Sequence, residues 1–479
     1  MQHGGSAASV SSNMAAPASG SCGFFVEKKQ RFCKMIVGRG RRFCGEHATM
    51  ERSSSRIVCP LDPKHTVSED KLEKHLKKCN SREKDKPVYY VENINAGSAD
   101  GDEPLPQVSL CERSRAELQS LLDKLRTATG GEMLTVLIGV DLHCDVDDRV
   151  LSHPVVEEEL NNPQNGGSAH KHLKQQSSIV GHLEELGLLG GGRCFVEFGA
   201  GRGKLSHWIH EALKDRDPLK TSEDLQLLLV ERCSTRFKVD GKHQDTGAQF
   251  ERLQVDIQHL DLSKVPLIRK KKLPLVGIGK HLCGAATDLA LRCLLDTPGH
   301  RAETAPPPKR LKTSEPAAEP DPDSGSVSND PGAGSDHGPV SGPVLGLAVA
   351  LCCHHRCEWH HYVGQRFFLQ LGLGPTEFSA FCRMSSWATC GLRPTRQDRP
   401  PQDVTNQGGD DEEHEVAEEF LSPDERQTVG RLCKLLIDSG RVHFLSTRGF
   451  RGRLSRYVDA SVTLENVLLT ATPPPDCSP

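Results

Sequence analysis

The sequence lacks any long hydrophobic run. Only 36% of its 479 residues are hydrophobic, and no stretch approaches the roughly 18 to 20 consecutive apolar residues that cross a membrane. The first 21 residues, rich in Ala, Ser and Gly, have no charged segment followed by an apolar core, so no secretory leader is expected. We therefore expect an intracellular protein of the nucleus or cytoplasm, with one large domain and smaller modules.

Net charge is also low, at −4, but it is unevenly distributed. Residues 298–343 and 398–419 carry net charges of −3 and −8, so the rest of the chain carries +7. The remainder is compatible with a polyanionic partner. Segments 298–343 and 396–420 are expected to be disordered inserts, as is the N-terminus over 1–21. The basic run 308–312 is a candidate nuclear address.

Cysteine, in contrast, is abundant, and its spacing indicates metal binding. Without a secretory leader the 18 cysteines are expected to be ligands and core thiols rather than disulfides. Zinc prefers four tetrahedral nitrogen or sulfur ligands, and it can fold segments too short to bury a core. Two successive sets supply four each: Cys22, Cys33, Cys44 and His47, then Cys59, His65, His75 and Cys79.

Each set predicts a small zinc finger, a CCCH type over 22–48 and a CHHC type over 56–80. In the second, His75 and Cys79 lie four apart on the helical stretch 69–78 and share one face. The first interleaves aromatic residues with cations, a composition that suits stacking on bases and pairing with phosphates. These residues are Phe24, Phe25, Phe32, Phe43, Lys29, Arg31, Lys34, Arg39, Arg41 and Arg42. A polar linker is expected over 81–108.

The remainder, 109–473, predicts an α/β domain. Leu118, Leu121, Leu122 and Leu125 form one stripe of a helix over 112–126, for core packing or for a short coiled coil. Residues 168–189 predict another helix, whose polar start is either solvated or faces the substrate. Short apolar runs then alternate with helical ones, which indicates a doubly wound sheet of the Rossmann-like methyltransferase type. The expected strands are 194–201, 225–232, 251–258, 273–280, 344–353, 442–447 and 460–470.

A glycine-rich loop follows the first of these strands and opens a helix. Its expected cofactor contacts are Glu197, Gly199, Gly201 and Gly203. Glycines let the backbone approach a ligand, and the helix start offers free amides. Glu231 and Asp256, after the next two strands, are placed for a ribose and an adenine. The long gap between glycines and acid favours S-adenosylmethionine over NAD.

Two further strand ends carry candidate catalytic groups. Lys280 and His281 could align an oxygen nucleophile and take its proton, or could instead hold a phosphate and cap a loop. At the next strand end the sequence runs Cys352, Cys353, His354, His355, Arg356 and Cys357, which either lines the substrate pocket or binds a third metal. Near the C-terminus four arginines, at 448, 451, 453 and 456, alternate with glycines beside Tyr457, a pattern for phosphate contacts and stacking or for a solvated loop.

Together these motifs resemble one family closely, the eukaryotic tRNA ribose 2′-O-methyltransferases that modify position 4 of the acceptor stem (tRNA:m4X modification enzymes). The resemblance rests on both fingers and on the segments HKHLKQQSSIVGHL, FVEFGAGRGKLS, LLLVER, GIGKHLCGAATDLAL, ALCCHHRCEWHHY and YVDASVTLEN. It implies S-adenosylmethionine as methyl donor, a ribose 2′-hydroxyl as acceptor and tRNA as partner. No obligate protein partner is evident from the sequence. The alternatives are an RNA-binding adapter with an inactive methyltransferase fold, and a methyltransferase for proteins or small molecules.

Overall fold

The computed structural model describes residues 20–26, 31–38, 40–45, 47, 56–79, 81–82, 86–97, 109–130, 146–214, 225–233, 249–296, 342–390 and 421–475. The chain divides into two compact units. The first comprises Met1–Lys86 with Pro394–Glu412, and the second Pro87–Arg393 with Glu413–Pro479. The disordered segments expected over 1–21, 298–343 and 396–420, including the basic run 308–312, lie almost wholly outside the described residues.

The first unit, here called the finger unit, consists of two small hairpins and one short helix. Strands β1 (Phe25–Val26) and β2 (Arg31–Phe32) pair antiparallel, as do β3 (Arg56–Cys59) and β4 (Asp62–Ser68). Helix α1 (Leu72–Leu76) follows β4 through a short 3₁₀ turn. Among the described residues of this unit, the buried side chains are four cysteines of the two ligand sets and Val67. The described residues of the finger unit therefore form almost no apolar core.

The second unit, the catalytic unit, is built on an eight-stranded sheet in the order β5, β11, β12, β10, β9, β6, β7, β8. The five strands from β10 to β8 are parallel, β12 runs antiparallel between β10 and β11, and short β5 pairs with β11. The strands are β5 (Asp147–Asp148), β6 (Cys194–Phe198), β7 (Gln226–Val230), β8 (Gln249–Leu253), β9 (Leu275–Cys283), β10 (Val344–Cys352), β11 (Arg451–Arg456) and β12 (Val467–Thr472). The predicted doubly wound α/β architecture is confirmed.

Helices cover both faces of this sheet. The long ones present apolar stripes to two separate core layers, one around Leu228 and Leu436 and the other around Ile179 and Leu227. The helices are α2 (Arg115–Thr129), α3 (Glu157–Leu160), α4 (Gly167–Glu185), α5 (Lys204–Lys214), α6 (Pro266–Lys271), α7 (Ala285–Leu295), α8 (Gln365–Gln370), α9 (Pro375–Met384), α10 (Trp387–Cys390) and α11 (Pro423–Thr447). All four leucines of the predicted stripe on α2 are buried, so its core-packing role is confirmed.

The strand expected over 442–447 is wrong, because these residues form the last turns of helix α11. Ser422 starts this helix with a capping box, accepting from the Glu425 amide while the Glu425 carboxylate accepts from the Ser422 amide. A short apolar run is buried equally well in a helix or a strand, so its periodicity did not decide between them. The strand at this point of the order is β11, in the segment expected to be an arginine-rich loop.

Part of the expected linker is an integral piece of the catalytic unit. Residues 87–97, here called the strap, pack on the turn that follows β8: Tyr90 forms a β-bridge with Leu260. The buried amide of Asn95 donates to the carbonyls of Ile257 and Leu260, at 2.6 and 2.8 Å. The polar composition of 81–108 therefore reflects hydrogen bonding to the domain over these residues.

Within the described residues, no helix combines the length and apolarity needed to cross a membrane.

Candidate metal centres and active site

The second ligand set forms a compact cluster. Cys59 ends β3, His65 lies on β4, His75 lies on α1 and Cys79 lies just beyond it, and their four ligand atoms all lie within 4.8 Å of one another. The two cysteine Sγ atoms are 3.8 Å apart, and the two histidine Nε2 atoms are 3.1 Å apart. The other ring nitrogen of His65 lies 3.4 Å from the Asp62 carboxylate. Such a carboxylate partner orients a metal-bound imidazole, so this cluster has an outer shell as well as four donors.

The first set is equally compact. The thiols of Cys22, Cys33 and Cys44 and Nδ1 of His47 also lie within 4.8 Å of one another. Nδ1 of His47 is 3.5 Å from Cys22 Sγ and 3.3 Å from Cys44 Sγ, and the Cys44 amide donates to Cys22 Sγ at 3.2 Å. The ring of Phe24 stacks on His47 at 3.9 Å between centroids. The half-buried Phe24 therefore packs against a ligand of the cluster, and the stacking surface expected from the sequence stays a prediction.

Both clusters fit zinc. Three thiolates with one imidazole, and two thiolates with two imidazoles, are donor sets of structural zinc sites, and four donors at these separations match a tetrahedral shell. A metal at each cluster also explains why the finger unit folds with almost no apolar core.

In the catalytic unit the glycine loop joins β6 to α5. Gly199, Gly201 and Gly203 have φ of +64°, +50° and +71°, a conformation that side-chain-bearing residues rarely adopt. A Cβ on Gly203 would come within 2.5 Å of Leu229 and 2.9 Å of Arg252, whereas a Cβ on Gly201 would meet no protein atom within 4 Å. Gly203 is thus needed for close packing, and Gly201 faces open space of the kind that a ligand can occupy.

The acidic residues expected after the next two strands lie at the same edge of the sheet as this loop. Oε2 of Glu231, just after β7, accepts from the Gly201 amide at 3.0 Å. Asp256 caps the turn after β8, accepting from the Gln258 amide at 3.1 Å, and its other oxygen lies 3.8 Å from Arg232. The carboxyl ends of three adjacent parallel strands meet at one edge of the sheet, so these groups form one crevice. A glycine cradle with acids on the next two strands fits S-adenosylmethionine.

Glu197 lies in a different position from the other expected cofactor contacts, since it is only 3% exposed. Its carboxylate accepts from the amide and the hydroxyl of Ser206 at 3.1 and 2.5 Å. Burial raises the pKa of Glu197 to about 7, although both hydrogen bonds oppose this rise. Glu197 thus links strand β6 to the first turn of α5 and stabilises the glycine loop between them.

The two candidate catalytic residues lie at an irregularity of the sheet. Lys280 on β9 pairs with Ala350 and Leu282 pairs with Leu351, so His281 is an extra residue between them, with φ of +61°. Bulges of this kind redirect a side chain and are common beside active sites. Nε2 of His281 donates to Oε1 of Gln175 at 2.9 Å.

Burial lowers the pKa of Lys280 to about 8, against the opposing effect of the Glu197 carboxylate. Its amine lies 3.1 Å from Nδ1 of His172. Burial, followed by the charge of Lys280, lowers the pKa of His281 to about 4 and also lowers that of His172. The site therefore holds one amine close to its titration point beside two neutral imidazoles. His172 and Gln175 belong to the polar start of α4, so part of this start contacts the segment of Lys280 and His281. Its substrate-facing role stays a prediction.

A buried ionic network, which the sequence did not reveal, joins α11 to α7 and to the turn after β10. Arg441 on α11 is 1% exposed and donates to the carboxylates of Asp288 and Asp438, at 2.7 and 2.8 Å. Asp438 accepts from Nε2 of His354 at 2.9 Å, which fixes the turn after β10. His354 is therefore not a ligand of the third metal site considered for 352–357. Among the described residues, Cys352 and Cys353 instead lie together with Cys283.

The arginine-rich segment lies at the end of α11 and on strand β11, and its phosphate contacts stay a prediction. Tyr457 is fully buried, so the stacking surface predicted for it is wrong. Three of the four arginines lie beside carboxylates of the same unit. The pairs are Arg448–Asp296 at 2.6 Å, Arg453–Asp147 at 3.2 Å and Arg456–Asp148 at 2.9 Å.

Comparison with known proteins agrees with this architecture. A family model described as methyltransferase TRM13 matches residues 174–472, a CCCH zinc finger in TRM13 protein matches 20–48, and a U11-48K-like CHHC zinc finger matches 56–80. The TRM13 homolog of Homo sapiens, named a tRNA:m(4)X modification enzyme, is 50% identical over 97% of this chain and 96% of its own. Its Mus musculus counterpart is 48% identical over 97% of both chains.

The Saccharomyces cerevisiae enzyme of the same name is 26% identical over 94% of this chain and 95% of its own. No solved structure matches the chain. A methyltransferase model that covers more than half of the chain, two finger models over the two metal clusters, and relatives of this identity along nearly the full length show that the chain belongs to the TRM13 methyltransferase family.

Proposed function

We propose that this protein transfers a methyl group from S-adenosylmethionine to the ribose 2′-hydroxyl of nucleotide 4 in the acceptor stem of tRNA. The observation that carries the proposal is the crevice in which the Gly201 loop and Glu231 adjoin strand β9 with Lys280 and His281. The relatives are named tRNA modification enzymes, which supports tRNA as the substrate class. Ribose hydroxyls line the wide, shallow minor groove of an RNA stem, so the enzyme reaches its target without unpairing it.

In the proposed site Gly199, Gly201 and Gly203 cradle the cofactor, Glu231 binds its ribose and Asp256 its adenine. Glu197 acts through Ser206 by holding the loop against α5. S-adenosylmethionine supplies a methyl group on a positively charged sulfur, so the acceptor needs only an aligned oxygen that can lose its proton. The oxygen-to-carbon bond forms as the carbon-to-sulfur bond breaks, and the hydroxyl proton must pass to a base.

Lys280 is the proposed base. With a pKa of about 8, a fraction of its amine is neutral near pH 7 and accepts the hydroxyl proton. Nδ1 of His172, 3.1 Å away, then accepts a hydrogen bond from the resulting ammonium. His281 is the proposed positioning group. Its Nε2–H donates a hydrogen bond to Gln175, so in the neutral ring Nδ1 is the acceptor that orients the hydroxyl.

The eight residues of the two ligand sets are the proposed ligands of two structural zinc ions, and the finger unit is proposed to hold the tRNA. Its first finger has a groove of about 480 Å³ lined by Phe32, Arg41 and Arg42 together with glycines. Both arginines are exposed, and a cationic groove with an aromatic wall suits a nucleotide. The second finger adds the exposed lysines 71, 74, 77 and 78.

The decisive experiment is methyl transfer from labelled S-adenosylmethionine to unmodified tRNA transcripts, with the labelled nucleotide mapped by resistance to alkaline cleavage. Label at nucleotide 4 is the expected result. Label at another ribose would revise the position alone. Absence of label on every tRNA, with the cofactor still bound, would instead favour the adapter function.

Lys280→Met tests the base. We expect kcat to fall by about 10²- to 10⁴-fold, the usual contribution of a general base, with little change in cofactor affinity. In the parent enzyme kcat should rise with pH through about 8, because the neutral amine is the active form, and the variant should lack this rise. Lys270→Met, which removes an exposed lysine on α6, is the matched control. Equal activity of the two variants would exclude Lys280 as the base.

A further inference from the structure

Three cysteines outside the finger unit form a cluster for which the mechanism has no use. Cys283 is the last residue of β9 and Cys352 the last residue of β10, and the two are register partners in the parallel pair. Their Sγ atoms are 3.4 Å apart. With Cys353 next in the chain, the three thiols all lie within 4.8 Å of one another. This thiol cluster joins residues 69 positions apart at the lip of the active-site crevice.

The backbone at Cys353 brings the third thiol to the cluster. Successive residues of a strand place their side chains on opposite faces, so Cys353 would point away from Cys352 if the strand continued. Instead Cys353 adopts a left-handed conformation, with φ of +53°, which costs a residue with a side chain about 1 kcal/mol or more. The left-handed conformation of Cys353 thus brings its sulfur to those of Cys283 and Cys352.

The spacing of the cluster matches that of the metal clusters in the same molecule. The sulfurs of Cys59 and Cys79 are 3.8 Å apart, and the imidazole of His75 is 3.2 Å from Cys59 Sγ. Zinc with sulfur at roughly 2.3 Å holds tetrahedral thiolates about 3.8 Å apart, whereas sulfurs joined in a disulfide are about 2.05 Å apart. The 3.4 Å between Cys283 and Cys352 lies close to the metal-bridged value.

We propose that Cys283, Cys352 and Cys353 bind a third zinc ion, with water as the fourth ligand. Each thiol binds as a thiolate and releases its proton to solvent. Soft sulfur donors select zinc or copper(I), and three protein ligands leave an exchangeable position. Cys283 and Cys353 are partly exposed, which gives the ion access, while Cys352 is buried. The ion would cross-link the ends of β9 and β10, two and three residues beyond His281 and Lys280.

Metal stoichiometry of the full chain tests this site independently of methyl transfer. The protein is saturated with zinc under reducing conditions and dialysed free of excess, and zinc per chain is measured by elemental analysis and native mass spectrometry. We expect three zinc ions in the parent chain and two in Cys283→Ser/Cys353→Ser. Cys233→Ser, which removes an exposed thiol outside the three cysteine clusters, should keep three.

A second variant leaves the thiol cluster intact, so its zinc content tests the proposal even if Cys283→Ser/Cys353→Ser misfolds. Full-length protein with Cys33, Cys44, Cys59 and Cys79 all changed to Ser loses both finger sites and should retain one zinc ion. Two zinc ions in the parent chain and none in this variant would overturn the proposal. A disulfide between Cys283 and Cys352, found by peptide mapping of zinc-saturated protein kept reduced, would overturn it as well.

Discussion

The finger unit and the catalytic unit reach a folded state by opposite means. In the finger unit the buried side chains are almost all thiols of two ligand clusters, while in the catalytic unit two apolar layers enclose an eight-stranded sheet. Burial of apolar surface contributes roughly 25 cal/mol per Å², which is sufficient only when a domain has an interior to fill. The difference teaches that one chain can be sensitive to chelators in one part and to core substitutions in another.

Zinc removal should have the largest effect, and it should unfold the finger unit while the catalytic unit stays folded. We expect a strong chelator to unfold residues 20–79, because structural zinc contributes about 10 to 16 kcal/mol to the folding of such fingers. Hydrogen exchange measured by mass spectrometry should show lost protection there, while β6 and α11 keep theirs. Cys59→Ala or His75→Ala should likewise weaken tRNA binding and spare cofactor binding. Equal loss in both units would refute their independence.

The reverse perturbation targets the buried network of the catalytic unit. Arg441→Met leaves the carboxylates of Asp288 and Asp438 buried without their cation, which should cost about 3 to 5 kcal/mol of unfolding free energy. Denaturant unfolding followed at Trp387 and the other tryptophans reports the loss, and zinc content of the fingers should stay constant. Arg431→Met, on the exposed face of the same helix, is the matched control and should change stability by less than about 0.5 kcal/mol.

Within the catalytic unit, a smaller change separates cofactor binding from folding. Gly203→Ala places a Cβ against Leu229 and Arg252 at a positive φ, with an expected cost of about 1 to 3 kcal/mol. Cofactor affinity by calorimetry should fall by about tenfold or more, since 1.4 kcal/mol corresponds to a factor of ten. Gly187→Ala has a similar φ of +65° and open space around it, so it should leave affinity unchanged. Gly201→Asp, with a carboxylate beside Glu231, should abolish binding altogether.

The smallest expected effect tests the strap. Asn95→Ala removes the donor to the carbonyls of Ile257 and Leu260 and loosens the turn that carries Asp256. Each hydrogen bond contributes about 0.5 to 1.5 kcal/mol, so cofactor affinity should fall by up to about tenfold. The KM for cofactor should rise with kcat nearly constant, a split that general destabilisation does not produce. Val88→Ala, at an exposed position of the strap, is the control, and an equal effect from both would exclude the positioning role.

Features that depend on near neighbours in the chain were predictable. The two ligand sets each span fewer than 30 residues, so their spacing alone indicated the clusters that the structure forms. The glycine loop, the acids after β7 and β8, and the leucine stripe of α2 likewise follow from local periodicity. The run 442–447 was misassigned because a short buried segment has no distinguishing period. The ion pairs of the arginines at 448, 453 and 456 were not predictable, because their acidic partners are distant in sequence.

By itself, then, the sequence determined the family, the doubly wound fold and the ligand sets, since each depends on patterns within about 30 residues. Only the tertiary structure decided the bulge that redirects His281, the pairing of Cys283 with Cys352 and the burial of Arg441 between Asp288 and Asp438. These contacts join residues up to 153 positions apart, and they arise from how parallel strands and covering helices pack. No local period encodes such packing, because a side chain's partner across a sheet is set by register and strand order.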